Sequence, residues 1–479
     1  MENESKLYID GRWVDPARPG DWITVIDPAT EEEVGKVAAG SEADVDAAVR
    51  AAHRAFPAYS QTTREERVAL LERLVGAYRR RLPALASAMT TEVGIPTSFS
   101  EGVQARIGER HLETAIEVLR DYEFEADWGT THIVREPVGV CGLISPWNWP
   151  MNQAIVKIAP ALAAGCTMVL KPSRLSPLSA LLLAEAVDEA GVPAGVFNMV
   201  NGPGSSLGAT LAGHPLVDMV SITGSTEVGA SVARAAAASI KRVSQELGGK
   251  SAYIVFEDVD LPKVVTGGVK GCMRNSGQSC NAPTRMLVAK PAYAEAVTIA
   301  AQVADSLRVG DPRDPDTFLG PVAGLQQFET VQGYIESGLK EGARAVAGGP
   351  GRPAGLQRGY YVRPTVFADV DSAMRIAREE IFGPVLSIIP FSDEEEAVAL
   401  ANDSDFGLSG YVSSGDLERA RRVARRLRTG MVHLNGASTD LTAPFGGYKH
   451  SGNGREWGRW GLEDFLEVKA VMGYSRPGK

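Results

Sequence analysis

The sequence predicts an α/β protein with a parallel sheet, and two observations carry this prediction. From Val134 onward, near-continuous apolar segments alternate with helical ones. Strands that are apolar on both faces are typical of parallel sheets covered by helices on both sides. The chain has 479 residues, 44% of them hydrophobic and 23% charged, which is the composition of an ordinary globular protein. This length suits two large domains or about three smaller ones.

Charge and composition argue against several functional classes. Lys and Arg number 49 against 59 Asp and Glu, so the net charge is −10, and no basic excess favours a nucleic-acid partner. The N-terminus is acidic and lacks the apolar core of a signal peptide. The longest uncharged apolar run, residues 158–170, is shorter than the ~20 residues that span a bilayer. We therefore expect a cytoplasmic protein with no membrane segment.

Cysteine and histidine content argues against disulfides and metal sites. The four cysteines, Cys141, Cys166, Cys272 and Cys280, are too few for a disulfide framework, and none forms a CxxC pair. The six histidines are scattered, so no metal site is expected. Cys141 and Cys166 lie in apolar runs and Cys272 ends a predicted helix, so packing explains all three.

Before Val134 the chain predicts a mainly helical scaffold. Short strands are expected before Gly11 and at 25–27. Helices are expected at 41–56, where Ser41 can cap, at 63–92, which Pro83 divides, and at 101–119. Their amphipathic stripes indicate packing.

After Val134 the alternation predicts two α/β regions. In the first, strands are expected at 138–144, 167–171, 196–200 and 217–223, with helices at 179–190, 204–211 and 225–239. In the second, strands are expected at 251–256, 286–288 and 385–389, with helices at 292–307, 325–341, 397–401 and 416–428. Parallel sheets of this kind bind ligands at the C-terminal ends of their strands.

The tail 464–474 alternates like a strand. A strand at the end of the chain leaves an unpaired edge unless something covers it. A second subunit is the usual cover, which predicts a homo-oligomer; an intramolecular partner is the alternative.

Four short segments are candidates for chemistry: SPWNWP (145–150), TGSTEVG (223–229), ELGGK (246–250) and GQSC (277–280). The second follows a strand and opens a helix, which suits a phosphate group at a helix N-terminus, although it is not GxGxxG and a plain helix cap would also explain it. Cys280 lies among small polar residues, which indicates an accessible thiol that can ionise; an incidental loop cysteine is the alternative.

Two further side chains in these segments, Asn148 and Glu246, each have a functional and a structural interpretation. Asn148 is flanked by two tryptophans and two prolines, a rigid and dry setting that suits an oxyanion donor; a turn asparagine is the plain alternative. Glu246 precedes Leu247 and two glycines, so its carboxylate could be a general base, or else a solvated surface group.

Together and in this order, these segments resemble the aldehyde dehydrogenase superfamily, and the resemblance covers nearly the whole chain. Further matching segments are Lys171-Pro172-Ser173, EEIFGPV (379–385), PFGGYK (444–449), Ser451-Gly452 and the closing Gly461-Leu462 with Val468-Lys469. The resemblance implies a Rossmann-like cofactor domain, an α/β catalytic domain and a small β oligomerisation extension. The corresponding boundaries are 1–118 and 138–248 for the dinucleotide-binding domain, 249–450 for the catalytic domain, and 119–137 and 451–479 for the oligomerisation segments. A homodimer, or a homotetramer built as a dimer of dimers, is implied.

The resemblance also implies roles for individual residues. Cys280 matches the nucleophile, Glu246 the general base, and Asn148 the oxyanion donor that acts with the backbone N–H of Cys280. Glu456 matches a buried glutamate thought to relay protons. The implied contacts to NAD or NADP are Ile144, Trp147, Lys171, Ser173, Arg174, Gly224, Ser225, Gly229, Leu247, Gly248, Glu380 and Phe382. Among them, Lys171 matches a contact to the adenosine ribose, Ser225 to the pyrophosphate, and Glu380 to the nicotinamide ribose.

One position departs from the family pattern. Many NAD-preferring relatives carry a glutamate after Lys-Pro-Ser, where this chain has Arg174. An arginine can pair with a 2′-phosphate that a carboxylate would repel. The departure predicts that NADP is accepted; the alternative is that Arg174 points to solvent and NAD is used.

The implied activity is the oxidation of a small-molecule aldehyde to its carboxylate. The alternatives are a CoA-acylating relative, which would lack Glu246, a cysteine hydrolase, which needs a histidine base, and a non-catalytic relative, which would have lost its nucleophile or base. Trp149, Met151 and Phe445 are candidate channel residues, which favours an apolar or aromatic aldehyde. The loop 436–443 is a candidate for the channel mouth.

Overall fold

The computed structural model of the protein describes residues 3–475. Residues 1–2, the start of the ten-residue segment in which the first strand was predicted, and residues 476–479, the end of the second predicted oligomerisation segment, lie outside this part. Among the helices described, none is both long enough and apolar enough to cross a membrane.

The strands and helices follow the predicted alternation. The strands are β1 (Leu7–Ile9), β2 (Arg12–Val14), β3 (Trp22–Asp27), β4 (Glu32–Ala38), β5 (Glu125–Trp128), β6 (Thr131–Pro137), β7 (Val140–Ile144), β8 (Thr167–Lys171), β9 (Phe197–Met199), β10 (Met219–Thr223), β11 (Arg242–Glu246), β12 (Ala252–Val255), β13 (Arg285–Ala289), β14 (Arg344–Ala347), β15 (Thr365–Ala368), β16 (Val385–Phe391), β17 (Phe406–Gly407), β18 (Ser409–Ser413), β19 (Met431–Leu434), β20 (Tyr448–Lys449) and β21 (Leu466–Val471). The α-helices are α1 (Glu42–Tyr59), α2 (Arg64–Arg80), α3 (Leu82–Val93), α4 (Thr97–Phe99), α5 (Ala105–Asp121), α6 (Pro150–Ala164), α7 (Pro177–Glu189), α8 (Gly204–Gly213), α9 (Thr226–Ala236), α10 (Leu261–Met273), α11 (Lys290–Ser306), α12 (Leu325–Lys340), α13 (Arg375–Arg378), α14 (Glu394–Asn402), α15 (Leu417–Ala424) and α16 (Gly458–Asp464). A π-helical turn spans Ser100–Gln104, and 3-10 turns span Ala237–Ser239 and Arg274–Gly277.

Two seven-stranded sheets organise the chain. The first has the order β11-β10-β7-β8-β9-β1-β2, and its members from β7 to β11 are parallel. The chain runs outward through β8 and β9 on one side of β7 and through β10 and β11 on the other. The order therefore reverses between β7 and β10, and a crevice at such a reversal is where open α/β sheets bind ligands.

The second sheet has the order β14-β15-β16-β13-β12-β18-β19, and only β14 runs antiparallel to its neighbour. Buried apolar residues pack on both faces of each sheet, as the apolar runs predicted. The predicted parallel α/β architecture is confirmed in both regions.

Several predicted boundaries were wrong in detail. The helix expected at 225–239 ends at Ala236 and continues as a 3-10 turn, and the helix expected at 416–428 ends at Ala424. The helix expected at 101–119 opens with a π-helical turn, which residue pattern alone did not indicate. Pro83 lies in the first turn of α3, where its missing N–H costs no hydrogen bond, and it separates α2 from α3 as predicted.

The predicted tail strand is β21, and it pairs within the chain. It runs antiparallel to β6 in a three-stranded sheet of order β21-β6-β5, from Leu466 opposite Pro137 to Val471 opposite His132. The intramolecular partner is therefore correct for one edge of the strand. The other edge of β21 has no strand beside it in the described chain, and Val468 on this strand is 66% exposed.

Helix α6 links the two regions through a buried charge pair. The helix is buried along its whole length, and Gly165, with φ +95°, ends it in the left-handed conformation. Lys157 donates to Glu456 Oε1 at 2.6 Å and to Ser221 Oγ at 3.1 Å. A buried ammonium of this kind is tolerated because a carboxylate and a hydroxyl replace its water. The pair ties α6 and the first sheet to the C-terminal segment.

Candidate active site

Backbone register brings four strand ends together at one edge of the first sheet. Ile144 of β7 lies opposite Lys171 of β8 and Ile222 of β10, and Thr223 of β10 lies opposite Glu246 of β11. Because these strands are parallel, the segments that follow them all leave the same edge. Three of the four candidate segments, those at 145–150, 223–229 and 246–250, begin there.

A cavity of about 230 Å³ lies at this edge, between the first sheet and loops of the second region. Its lining is Pro146, Trp147, Asn148, Thr223, Gly224, Ser225, Leu247, Gly248, Cys280, Gln327, Glu380 and Phe382. Most of the predicted site residues are in this set. The structure thus brings all four candidate segments to one place.

Six predicted residues do not line the cavity: Ile144, Lys171, Ser173, Arg174, Gly229 and Glu246. Ile144 and Lys171 lie opposite each other at the ends of β7 and β8. Gly229 lies in α9, where a β-carbon would overlap the side chain of Leu247. Ser173 Oγ accepts from the backbone N–H of Leu175 at 3.2 Å. Arg174 is exposed, and within residues 3–475 its side chain forms no hydrogen bond or ion pair.

The segment that carries Cys280 is more buried than the sequence suggested. Asn275, Ser276 and Gly277 have φ of +56°, +55° and +73°, so three consecutive residues adopt the left-handed conformation. These residues and Gln278 are buried. The expectation of an openly accessible loop was wrong, because the polar side chains are satisfied by protein groups and not by water. Cys280 itself is partly exposed and lines the cavity.

The surroundings of the Cys280 thiol oppose its ionisation. Burial raises the pKa of Cys280 above its ordinary value, and the negative charges of Glu380, Glu246 and Glu456 raise it further. The other three cysteines are fully buried in the hydrophobic cores, as their sequence context predicted.

Asn148 is buried beside this segment. Its Nδ2 donates to the backbone carbonyl of Gln278 at 3.0 Å. A carboxamide has two N–H groups, so one remains for a ligand in the cavity. Trp149 Nε1 donates to Ser279 Oγ at 2.8 Å, which ties the segment 145–150 to the segment that carries Cys280 a second time.

Glu246 is the last residue of β11 and is 2% exposed, so the alternative of a solvated surface group was wrong. Neither of its carboxylate oxygens has a hydrogen-bond partner in the described protein. Burial raises its pKa well above the ordinary value, and the nearby charge of Glu456 raises it further. A buried carboxylate without a partner among the described residues, next in the chain to the cavity-lining Leu247, is available to a water or substrate proton.

Two glycines allow the first sheet to approach the second region closely. A β-carbon at Gly248 would overlap the carboxylate of Glu380, and one at Gly249 would overlap the backbone carbonyl of Cys280. Gly249 N–H donates to Glu380 Oε1 at 2.9 Å. Burial raises the pKa of Glu380 to about 7. At these two positions, any residue with a β-carbon would force Glu380 and Cys280 away from the strand that ends at Glu246.

The start of α9 faces the same cavity. Ser225 caps the helix by accepting from Val228 N–H at 3.3 Å, and Gly224 before it has no side chain to fill the space above. Lys171 lies buried at the adjoining strand end, where burial, with the charge of Arg174, lowers its pKa to about 8. Unpaired N–H groups, a helix dipole and a buried cation together suit an anionic ligand.

Sequence reasoning missed Pro146, Thr223 and Gln327 as lining residues. Pro146 and Thr223 belong to segments already singled out, so their position relative to Asn148 and Gly224 was the available signal. Gln327 lies in the first turn of α12 and donates to the backbone carbonyls of Ile381, at 3.2 Å, and Phe382, at 2.9 Å. Nothing in its local sequence marks it.

An apolar cluster packs against Cys280. It contains Val156, Leu408, Leu441, Phe445 and Trp457, with Ile107 and Met431 at its margin. Phe445 is there as predicted, and Leu441 comes from the loop 436–443. Met151 is instead buried in the core of the first region, so its assignment to a channel was wrong.

The fold and this cavity define an α/β protein with a cysteine, a buried carboxylate and a dinucleotide-type helix start at one crevice. Comparison with known proteins makes the class specific. Residues 13–471 match the model of the aldehyde dehydrogenase family. The chain is 56% identical to 3-succinoylsemialdehyde-pyridine dehydrogenase of a Pseudomonas species, with 99% of each chain covered. It is 46% identical to a putative aldehyde dehydrogenase of Staphylococcus epidermidis, over 99% of this chain and 100% of that one.

Comparison with solved structures leads to the same family. The chain superposes with a TM-score of 0.98 on a cysteine-to-alanine mutant of aldehyde dehydrogenase C from Pseudomonas syringae in complex with NAD+ and octanal, at 52% identity, covering 99% of this chain and 98% of that one. A Mycobacterium tuberculosis aldehyde dehydrogenase complexed with NAD+ gives 0.96 at 42% identity, with 99% of each chain covered. The chain therefore belongs to the aldehyde dehydrogenase family. It is an NAD(P)-dependent oxidoreductase that acts on aldehydes.

The negative charges of the carboxylates near Cys280 lead to a first prediction, which concerns the pKa of this thiol. In Glu246→Gln one negative charge near the sulfur is removed, so the thiolate becomes less unfavourable and the pKa of Cys280 falls. The pH profile of iodoacetamide alkylation should move to lower pH in this variant. Rates are followed by mass spectrometry of the peptide that contains Cys280.

Asp440→Asn, a charge change on the exposed loop 436–443, is the matched control and should leave the profile in place. An unmoved profile in Glu246→Gln would show that the carboxylate does not act on the thiol.

Proposed function

We propose that this protein oxidises an aldehyde to its carboxylate with NAD+ through a covalent thiohemiacetal and thioester on Cys280, with Glu246 as the general base for hydrolysis. The observation that carries the proposal is the meeting of Cys280 and Asn148 in one cavity, with the buried carboxylate of Glu246, unpartnered among the described residues, close enough for its charge to act on Cys280. No histidine is among the residues that line this cavity, which argues against a cysteine hydrolase.

The residues around the cavity suit a dinucleotide. Ser225 and Gly224 at the start of α9 would hold the pyrophosphate, and Lys171 the adenosine ribose. Glu380, fixed by Gly249, would accept hydrogen bonds from the nicotinamide ribose. Trp147 and Phe382 meet edge to face at 5.6 Å and would wall the nicotinamide end. When bound, the cofactor supplies an acceptor for hydride.

The first half of the reaction uses Cys280 and Asn148. The Cys280 thiol loses its proton to water, the sulfur adds to the aldehyde carbon, and the electron pair of the C=O π bond moves to the oxygen, which becomes an oxyanion. The free N–H of Asn148 and the backbone N–H of Cys280 stabilise that charge, and loss of one such donor typically costs about 100- to 1,000-fold in rate. When the oxyanion collapses, hydride leaves the carbon and a thioester remains on Cys280.

The second half uses Glu246. Its carboxylate oxygens have no protein partner, so one of them accepts a proton from a water that attacks the thioester. Cysteine suits both halves, because it attacks as a thiolate and leaves as one. The presence of Glu246 supports hydrolysis over transfer to CoA.

The apolar cluster beside Cys280 supports an apolar or aromatic aldehyde as substrate. Phe445, Trp457 and Leu441 offer it hydrocarbon surface and no charge. The relative bound to octanal and the relative named for a pyridine semialdehyde fit the same chemistry.

We also propose the domain division and assembly that the resemblance implies. The first sheet lies within 1–118 and 138–248 together, the second within 249–450, and the three-stranded sheet joins 119–137 to 451–479. The unpaired edge of β21, with Val468 exposed, supports a homodimer or homotetramer formed by addition of a second copy.

Cofactor choice rests on Arg174. Its side chain is exposed and unpaired beside Lys171, so it is available to a 2′-phosphate, and the negative charge that would repel NADP is missing. We propose that NADP is accepted in addition to NAD.

The central test is Cys280→Ala. The wild-type protein should form NADH with aldehydes, with a higher kcat/KM for octanal and benzaldehyde than for the charged succinic semialdehyde, as read at 340 nm. Cys280→Ala should abolish turnover and retain NAD+ binding, because the substitution removes only the attacking sulfur. Cys272→Ala, at another buried cysteine, is the control and should stay active. Turnover by Cys280→Ala would refute the nucleophile, and a preference for succinic semialdehyde would refute the substrate class.

Glu246→Gln separates the two halves of the reaction. Without the base, hydrolysis slows while hydride leaves as before, so rapid mixing should show one burst of NADH per active site followed by slow steady-state turnover. Acid quenching should recover a covalent acyl-enzyme at Cys280. Loss of the burst would instead place Glu246 at or before hydride transfer.

Arg174→Glu tests cofactor choice. The variant replaces an available cation with a charge that repels the 2′-phosphate, so kcat/KM for NADP should fall about fivefold to tenfold. The value for NAD should not fall, since NAD has no phosphate at that position and a glutamate can accept a hydrogen bond from its ribose hydroxyl. A wild-type protein that uses NAD and shows no measurable activity with NADP would contradict the proposal.

A further inference from the structure

The π-helical turn Ser100–Gln104 directs one side chain into the segment that carries the nucleophile. Gln104, the last residue of this turn, is 1% exposed. Its Nε2 donates to the backbone carbonyl of Asn148 at 3.4 Å and to Asn275 Oδ1 at 3.3 Å. A π-turn adds one residue to a helix and is often found at functional sites, because it re-aims the side chains next to it.

Asn275 is the second member of this polar cluster. Its Nδ2 donates to the carbonyl of Asn148 at 2.9 Å and to the carbonyl of Gln278 at 3.2 Å. The bond from Gln104 to Oδ1 fixes which end of this carboxamide faces the two carbonyls. Asn275 has a positive φ, which asparagine tolerates better than most residues, so both its backbone and its side chain are specified.

The direction of the Asn148 side chain follows from the same cluster. Its backbone carbonyl accepts from Gln104 and Asn275, which fixes the main chain at this residue. Its Nδ2 must face Gln278, because Oδ1 in that place would meet another oxygen. The remaining N–H of Asn148 is therefore held in one orientation by groups outside the cavity.

We propose that Gln104 is a positioning residue for the reaction, acting through Asn275 and Asn148 to aim the oxyanion donor beside Cys280. The inference rests on the proposed function, in which Asn148 stabilises the oxyanion. Gln104 does not line the cavity and touches no reacting atom.

Packing alone does not account for a glutamine here. Gln104 Oε1 is buried and has no partner among the described residues, which destabilises the fold relative to an apolar side chain of the same shape. A polar group retained in spite of that cost indicates that its donating end serves a purpose.

The test is a double-mutant cycle with Gln104→Met and Asn148→Ala. The readout is the first-turnover rate constant for NADH formation, with enzyme in excess over the best aldehyde of the panel and NAD+ saturating. Gln104→Met keeps the shape and removes both donated bonds, so this constant should fall about tenfold in the wild-type background. In the Asn148→Ala background the same change should cost less than about twofold, because the group it positions is gone.

Ser100→Ala is the matched control. Ser100 lies in the same π-turn, is fully buried and donates one hydrogen bond to the carbonyl of Ala86 at 3.0 Å, and its side chain forms no hydrogen bond with Gln104, Asn275 or Asn148 among the described residues. Its first-turnover constant should match the wild type, and the NAD+ dissociation constant should be unchanged in all variants.

Three outcomes would overturn the proposal: an equal loss in both backgrounds, no loss in either, or the same loss in Ser100→Ala. If Gln104→Met does not fold, Gln104→Glu enters the same cycle, since its carboxylate keeps the size and replaces the donor by an acceptor. A failure of the proposed function is recognised separately, because Cys280→Ala would then remain active. A dead Cys280→Ala with an unaffected Gln104→Met refutes only the role of Gln104.

Discussion

Desolvation of ionisable groups at one crevice is the constraint on which the rest of the site depends. Cys280, Glu246 and Glu380 lie where the C-terminal edge of the first sheet meets the second region, and burial raises the pKa of each. In a medium of low dielectric, neighbouring groups of like charge cannot all ionise together. The close approach of these ionisable groups depends on Gly248 and Gly249. A side chain at either position would occupy the space of Glu380 or of the Cys280 backbone.

A second group of buried charges, Glu456 and Lys157, affects the electrostatic energy of the first group. Glu456 raises the pKa of both Glu246 and Cys280, yet it is itself neutralised by Lys157 at 2.6 Å. Lys157 comes from α6, the helix that begins directly after Asn148 and Trp149. One buried element therefore places both Asn148, the proposed oxyanion donor, and the cation that offsets the carboxylates. A buried pair of this kind is costly to break from either side.

The amino-acid sequence predicted those features of the fold and the site that depend on local residue patterns or on short motifs. The apolar runs located β7, β8, β9 and β10 of the first sheet and β12, β13 and β16 of the second, whereas β11, β14, β15, β18 and β19 were not predicted. Gly224, Ser225 and Cys280 were found because unusual residue types cluster there. It could not show that Glu246 is buried or that Met151 faces a core, because burial is decided by segments far apart in the chain. Gln327 and Gln104 were missed for the same reason: each is an ordinary helical glutamine whose partners are more than forty residues away.

The raised pKa values of Cys280 and Glu246 connect the two halves of the proposed reaction. A thiolate on Cys280 is least unfavourable when Glu246 is protonated, because the charge that opposes it is then absent. Once the sulfur is held in a neutral thioester, its own charge is gone and Glu246 can ionise more readily. In the proposed reaction the negative charge lies first on sulfur and the substrate oxygen, and later on the carboxylate that accepts a proton from water. A carboxylate with an ordinary pKa in place of Glu246 would be ionised during the first half and would oppose the thiolate, so the burial of Glu246 favours that half of the proposed reaction.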